Sequence, residues 1–341
     1  MSYKHLFVHP NYYPEFSCKC GDCRATCCHG WGIALSQDEY FRVMSTDCSL
    51  ELRRRLDVAF KPATNPAPTP ERFALISYNW LGKCPIQTDE GLCLLHKEYG
   101  EGAIPEICRR YPRMYRTLPI HECCTSTSCE YTLELLWRDT EPVKLTSSEV
   151  EVFDEDFDAH PAAVLDASEY DTVRKIAFEI IGDRSMGFDD RIAVLARRFG
   201  GIVPYLVMPE KKAEELFFKL CATSGSLEEL REDVEAYIKV DSGLPGFSLD
   251  SIPEMDVYLE KMFVNHVFYK GFPRSFAGST PSDEIAALVA LRGLHRFVSE
   301  AYLGVHGWSF NNFVDVTAKL FRMIEHSRFD EVASRFVLHH M

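Results

Sequence analysis

Twelve of the chain's 13 cysteines fall between Cys18 and Cys129, and Cys221 stands alone beyond them, so whatever the thiols do is confined to one region. A chain of 341 residues can bury one large core or two ordinary ones without covalent staples, and an odd cysteine total rules out complete pairing within the chain. The amino terminus lacks the basic start and apolar run of a secretory signal. No later stretch approaches the roughly 18–20 apolar residues of a membrane span. The expectation is a soluble, cytoplasmic protein with no membrane partner. In that reducing compartment, closely spaced cysteines are more often metal ligands or catalytic thiols than disulfides.

The first group, F-S-Cys18-K-Cys20-G-D-Cys23-R-A-T-Cys27-Cys28-H-G-W, packs five cysteines into eleven residues, with Gly21 and Gly30 easing the turns that convergent thiolates need. Core packing alone gives no reason for such density. Cys27 and Cys28 are adjacent and suit one ion poorly together, so one of them is expected at a second centre or outside the ligand set. The second group runs Cys84-P-I-Q-T-D-E-G-L-Cys93-L-L-His96, followed by Cys108, the pair Cys123 and Cys124, and Cys129. Soft thiolates select zinc, copper(I) or iron-sulfur clusters. Structural zinc favours two regular paired knuckles, whereas only Cys20 and Cys23 form a CxxC here, so an iron-sulfur cluster is expected and zinc is the alternative. His29 and His96 are read as supporting donors.

Residues 36–56 read as one helix, with Ser36 as N-cap and Glu39 completing a capping box. Four prolines between Pro62 and Pro70 then enforce an extended loop. After Leu133 the pattern changes to long amphipathic stretches: 170–181, 189–199, 209–221, 226–238, 257–269, 282–302 and 310–327. The fold expected is mainly α. An irregular cysteine-rich metal-binding module over 1–135 would pack on an acidic helical domain over 136–341. Residues 1–129 carry a net charge of +1 and the rest −15, together the −14 of the whole chain. An acidic body disfavours nucleic acid and suits a basic target, although solubility alone also explains it.

The spacings F-x-C-x4-C-x3-C-C-x-G-W, C-P-x6-G-L-C-x-x-H and C-R-x-Y-P-R resemble the flagellin lysine-N-methylases, within a wider group of zinc- or iron-chelating proteins. The likeness continues into Ser128-Cys129-Glu130, where the family has proline in place of Glu130, and more faintly around Tyr258, Phe263, Asn265 and Pro273. Carried over by position, the family cysteines are Cys18, Cys23, Cys27, Cys28, Cys84, Cys93, Cys108 and Cys129. Cys20, Cys48, Cys123, Cys124 and Cys221 are additional. The resemblance implies a [4Fe-4S] cluster, S-adenosylmethionine as methyl donor and lysine side chains of flagellin as acceptor.

Such chemistry requires a lysine ammonium, with a pKa of about 10.4, to lose a proton before its lone pair can attack. Tyr78, Tyr99, Tyr111, Glu98 and Glu106 lie among the cysteine blocks, but each also has a structural reading, so the base is unassigned. The chain has no G-x-G-x-x-G turn after a strand and no C-x3-C-x2-C string, so the methyl donor must bind in another way. One route is ligation to an exchangeable iron of the cluster. Arg109 and Arg113 are candidates for its carboxylate, or for balancing thiolate charge. Trp31 could stack on adenine or sulfonium, or shield the metal. A non-enzymatic zinc- or iron-chelating protein is the competing reading, and an electron-transfer protein is a third.

Overall fold

The computed structural model of the chain describes residues 2–117, 120–153, 166–199, 207–223, 227–240, 246–273 and 275–339. They fall into two compact units: the smaller is Ser17–Tyr111, and the larger combines the chain before it with the chain from Pro112 onward. The first strand, β1 (Ser2–Pro10), belongs to the larger unit. The smaller unit then contributes β2 (Ala34–Leu35), α1 (Gln37–Met44), α2 (Leu50–Ala59), β3 (Phe60–Pro62), β4 (Ala74–Ile76), α3 (Leu94–Tyr99) and α4 (Glu106–Arg110). The larger unit resumes with β5 (Arg113–Arg116), β6 (Glu122–Thr125), α5 (Glu130–Trp137) and β7 (Leu145–Phe153). It continues through α6 (Ala167–Ile181), α7 (Phe188–Phe199), α8 (Glu210–Cys221) and α9 (Glu228–Val240). Last come α10 (Met255–Lys270), α11 (Pro281–His306), α12 (Phe310–Glu325) and α13 (Phe329–His339). The chain is mainly α, as its periodicity predicts.

The larger unit is built on α11, which is buried continuously from Glu284 to His295 and packs against α7, α8, α9, α12 and α13. A helix apolar on nearly every side is the one that other helices surround. Its start is fixed by a capping box, in which Asp283 N–H donates to Thr280 Oγ1 at 3.2 Å and Thr280 N–H returns to Asp283 Oδ2 at 2.9 Å. A four-stranded sheet in the order β5-β6-β1-β7 completes this unit, with β1 antiparallel to β7 from Ser2 opposite Phe153 to Pro10 opposite Leu145, and parallel to β6. Glu122 of β6 is fully buried and is neutralised by Arg116, whose Nε lies 3.0 Å from its Oε2, and by Arg174. No described helix is long and apolar enough to cross a membrane.

The smaller unit has a modest core: Leu35, Val43, Leu52, Leu56, Ala59, Phe60, Ile86, Leu94, Leu95 and Ile104, with Cys48, Cys84, Cys93 and Cys108 partly buried against it. The capping box at Ser36 and Glu39 forms as expected, with bonds of 2.8 and 3.2 Å. The single helix expected over 36–56 does not form, because it breaks between Met44 and Leu50. Ser49 caps a new helix by accepting from Leu52 N–H at 3.1 Å, and Arg53 donates back to the carbonyls of Met44 and Thr46 at 2.9 and 2.5 Å. Short polar side chains compete with the helical ladder, and the arginine satisfies the carbonyls freed by the break. The proline-rich segment runs as a loop between β3 and β4.

Candidate metal centre

Three backbone contacts bring the cysteine segments of the smaller unit together. Cys84 N–H donates to Cys28 O at 2.9 Å, so the end of the first cysteine group lies directly against the start of the second. A bridge between Gln87 and Cys93 closes the 84–93 loop, and Leu94 N–H donates to Ile86 O at 3.1 Å. The third contact depends on two glycines: a Cβ on Gly21 would sit 2.1 Å from Glu90 O, and one on Gly91 would sit 2.7 Å from Gly21 Cα. The Cys18–Cys23 turn therefore seats backbone to backbone on the second loop, an approach open only to glycine. Cys20, beside them, is the one described non-glycine residue at positive φ, 53°. Its N–H donates to Cys18 Sγ at 3.3 Å.

Side chains from α1 and α2 hold this arrangement from outside. Arg55 donates to the carbonyls of Pro85 and Gln87 at 3.1 and 2.9 Å, clamping the 84–93 loop. Glu39 Oε1 accepts Glu106 N–H at 2.8 Å, fixing the first turn of α4 and with it Cys108. Neither role was visible in sequence, where the run Arg53-Arg54-Arg55 was the only signal.

The thiols act on one another electrostatically. Burial pushes Cys108 well above an ordinary thiol pKa, and the charges of Cys28, Cys84 and Cys93 add to that. Burial likewise pushes Cys84 up to about 12, against backbone N–H groups at Ile86 and Gln87 that favour its thiolate. Cys93 is raised by burial and opposed by the backbone at His96 and Leu95, at the start of α3. Cys28 is the exception: the Cys27 thiol hydrogen-bonds to it and, with Thr26, outweighs burial, bringing it down to about 7 while Cys27 rises well above the usual range. Burial, with Cys18 next in effect, raises Cys20.

Among the described residues, no three His, Cys, Asp or Glu side chains stand close enough to hold one metal ion. The chemistry of the donor set nevertheless fits a soft cation. Cys84 and Cys93 receive backbone N–H groups suited to thiolates, yet burial and mutual repulsion keep these sulfurs protonated, and a bound cation removes that penalty. All 13 cysteines are free thiols.

The remaining site residues are distributed between the units. Cys18, Cys23, Cys27, Cys28, Cys84, Cys93 and Cys108 lie in the smaller unit, as do Arg109 and Trp31; Cys129 and Arg113 lie in the larger. Arg109 is buried on α4 directly after Cys108. Trp31 meets Tyr111 edge to face at 5.2 Å. Arg113, on β5, places its guanidinium 5.1 Å from the Phe16 ring centre. His29 Nε2 lies 2.6 Å from Leu81 O, and the backbone of His96 serves Cys93, so both support the loops.

Cys129 is the N-cap of α5 and follows a turn of buried hydroxyls. Buried Glu325 accepts from Thr127 N–H at 2.8 Å and Ser126 Oγ at 2.5 Å, with His266 Nδ1 3.0 Å from its other oxygen. Asn265 donates to Thr125 O at 3.0 Å and Thr127 Oγ1 at 3.1 Å. Burial raises the Glu325 carboxyl pKa, but His266 and Ser126 bring it below the ordinary range overall.

Among known proteins, the lysine-N-methylase of Salmonella typhimurium is 25% identical over 119 residues, covering 32% of this chain and 26% of its own length. That of Salmonella choleraesuis is 26% identical over 110 residues, covering 32% and 26%. The flagellar biosynthetic protein FliU of Salmonella muenchen is 25% identical over 119 residues, covering 32% of this chain and 62% of its own length. No family model matches the chain, and no solved structure does. The match spans about a quarter of the length of the two lysine-N-methylases. Over about a third of its own length, the chain is similar to proteins named for lysine methylation.

Proposed function

We propose that this chain is a protein-lysine N-methyltransferase that uses S-adenosylmethionine on lysine side chains of flagellin, and that its smaller unit holds a [4Fe-4S] cluster. The observation that carries the metal centre is the convergence of the Cys28, Cys84 and Cys93 segments through the Cys84 N–H to Cys28 O bond and the Gln87–Cys93 bridge, with Cys108 on the helix that Glu39 fixes. These four would be the ligands, with the Cys27 thiol donating to Cys28. Such a cluster would supply a cationic iron-sulfide core to offset the charge of the four thiolates. The methyl-transfer reading is supported by the similarity to lysine-N-methylases and the FliU protein.

The chain's own contribution is to bind, orient and deprotonate. The target amine must shed a proton, after which its lone pair forms the N–C bond while the methyl C–S bond breaks and the electron pair stays on sulfur. Residues 130–341, at −15, favour approach of a basic protein surface. Arg109, buried beside Cys108, is the fixed cation best placed to hold a carboxylate near the thiols.

The test is incubation of anaerobically reconstituted protein with methyl-labelled S-adenosylmethionine and purified flagellin. Label on lysine is expected. An unlabelled flagellin with a fully loaded metal site would leave the chelating-protein reading standing in place of the enzyme. Stoichiometric zinc in a colourless protein would overturn the iron-sulfur assignment.

A further inference from the structure

Residues 79–83 form a tight turn directly before Cys84, closed by its own bonds. Asn79 N–H donates to Lys83 O at 2.9 Å and Gly82 N–H to Asn79 O at 2.9 Å. Asn79 Oδ1 accepts Leu81 N–H at 2.9 Å and Lys83 N–H at 3.0 Å. The turn is also fastened to the first cysteine group, since Gly30 N–H donates to Gly82 O at 3.1 Å and His29 Nε2 lies 2.6 Å from Leu81 O. Gly82 sits at φ 73°, and a Cβ there would lie 2.7 Å from His29 Nε2, so only glycine lets the imidazole close on the turn.

This fixed turn holds Trp80 in water, 90% exposed, with Leu81 beside it at 48%. Among the described residues no ring, cation or hydrogen-bond partner engages the indole, Lys83 of the same turn included. The exposed ring therefore adds nothing to the fold's own packing. A large aromatic side chain on a backbone that is already ordered loses little entropy when a partner covers it, which is the character of a binding anchor. An open indole face is also the best aromatic receptor for an ammonium group. The turn runs straight into Cys84, whose N–H is bonded to Cys28 O, so whatever covers Trp80 lies next to the joined cysteine segments.

We infer that Trp80 is a docking residue for the protein substrate, and that its indole face takes a lysine ammonium by cation–π contact. This rests on the lysine-methylation reading and is independent of which metal the smaller unit holds.

The experiment measures binding of fluorophore-labelled monomeric flagellin, with its lysines free or chemically acetylated, to the full chain and to Trp80→Leu and Trp80→Phe. At 90% exposure the side chain can be exchanged without disturbing the core, and unchanged thermal melting checks this. Acetylation removes the ammonium charge, so the two changes form a double-mutant cycle. Trp80→Leu is expected to weaken binding of unmodified flagellin about fivefold, the value of an exposed cation–π pair. Trp80→Phe is expected to fall between, and acetylation to cost the wild-type chain more than it costs Trp80→Leu. If Trp80→Leu binds as the wild type does, or acetylation weakens both chains by the same factor, the inference is overturned; labelling of flagellin by the wild-type chain would still leave the methylation reading standing. A wild-type chain that neither binds nor labels flagellin overturns both.

Discussion

The two units of this protein are held together by different means. The larger packs 52 described hydrophobic side chains into one cluster around α11. The smaller has ten, and much of its order comes from backbone bonds, arginine clamps and a glycine-to-glycine contact. Cys84, Cys93 and Cys108 are packed against that small core, in positions where burial resists charge. A unit with so slight a core has little hydrophobic stabilisation to draw on, and the proposed metal would add to it. The comparison teaches that the same chain treats its polar groups in opposite ways. The larger unit satisfies buried charges internally, as Arg116 does for Glu122 and His266 for Glu325, while the smaller buries thiols whose ionisation burial opposes.

If the smaller unit holds the proposed metal, removing it should separate the units most sharply. Chelation, or Cys108→Ser, is expected to open residues 17–111 to limited proteolysis while most far-UV helical signal survives; a concerted loss of both would erase the distinction. The mirror experiment is Leu291→Ala at the centre of α11, fully buried, which should cost about 2–5 kcal/mol in denaturant titration and leave metal content per folded chain unchanged.

Acid should act on the larger unit through His295. Burial, helped by Arg292, depresses this imidazole from 6.5 to about 3. Its folded pKa lies below its unfolded one, so the stabilisation is complete above about pH 6.5 and is lost as pH falls toward 3, worth up to roughly 4–5 kcal/mol. His295→Gln, which keeps a partner for Thr317 Oγ1 now 3.0 Å away, should flatten the stability profile between those limits. An unchanged acid slope would place the pH sensitivity elsewhere. Smaller still, Gly21→Ala should cost about 1–3 kcal/mol by driving the first cysteine turn off Glu90. Lower metal retention is expected alongside, read by metal analysis after gel filtration; normal retention would show that the turn is not needed to close the site.

Much of the larger unit was legible in sequence because period 3.6 persists over long stretches: helices read at 170–181, 189–199 and 282–302 appear as α6, α7 and α11 with ends moved by a few residues. The sheet was not legible. The register between β1 and β7 joins Ser2 to Phe153, with the whole smaller unit between them in sequence, and β6 carries a glutamate at a fully buried position that Arg116, across a turn, and Tyr170 and Arg174, far off in sequence, make tolerable. The resemblance left Cys20 outside the family cysteines, and spacing gave no sign that its backbone N–H donates to Cys18 Sγ. Gly21 was read as easing a local turn, and its second function, admitting Glu90, depends on a partner 69 positions on that no local pattern reveals. Tyr78 was one of five candidates for a base, and only its burial without an acceptor separates it from the rest.

The chain lays down β1, leaves to build Ser17–Tyr111, and returns to add β5 and β6 to the same sheet. The points of departure and return meet, since Arg113 covers the ring of Phe16 at 5.1 Å. The thiol-bearing unit is therefore wired in as a cassette on two adjacent stems, so that a short linker from Phe16 to Pro112 could replace it without stretching its host. During synthesis the order of events is reversed. The cassette is finished while its host still lacks β5, β6, β7 and every helix from α5 onward, so its own fold is complete before the protein around its stems exists.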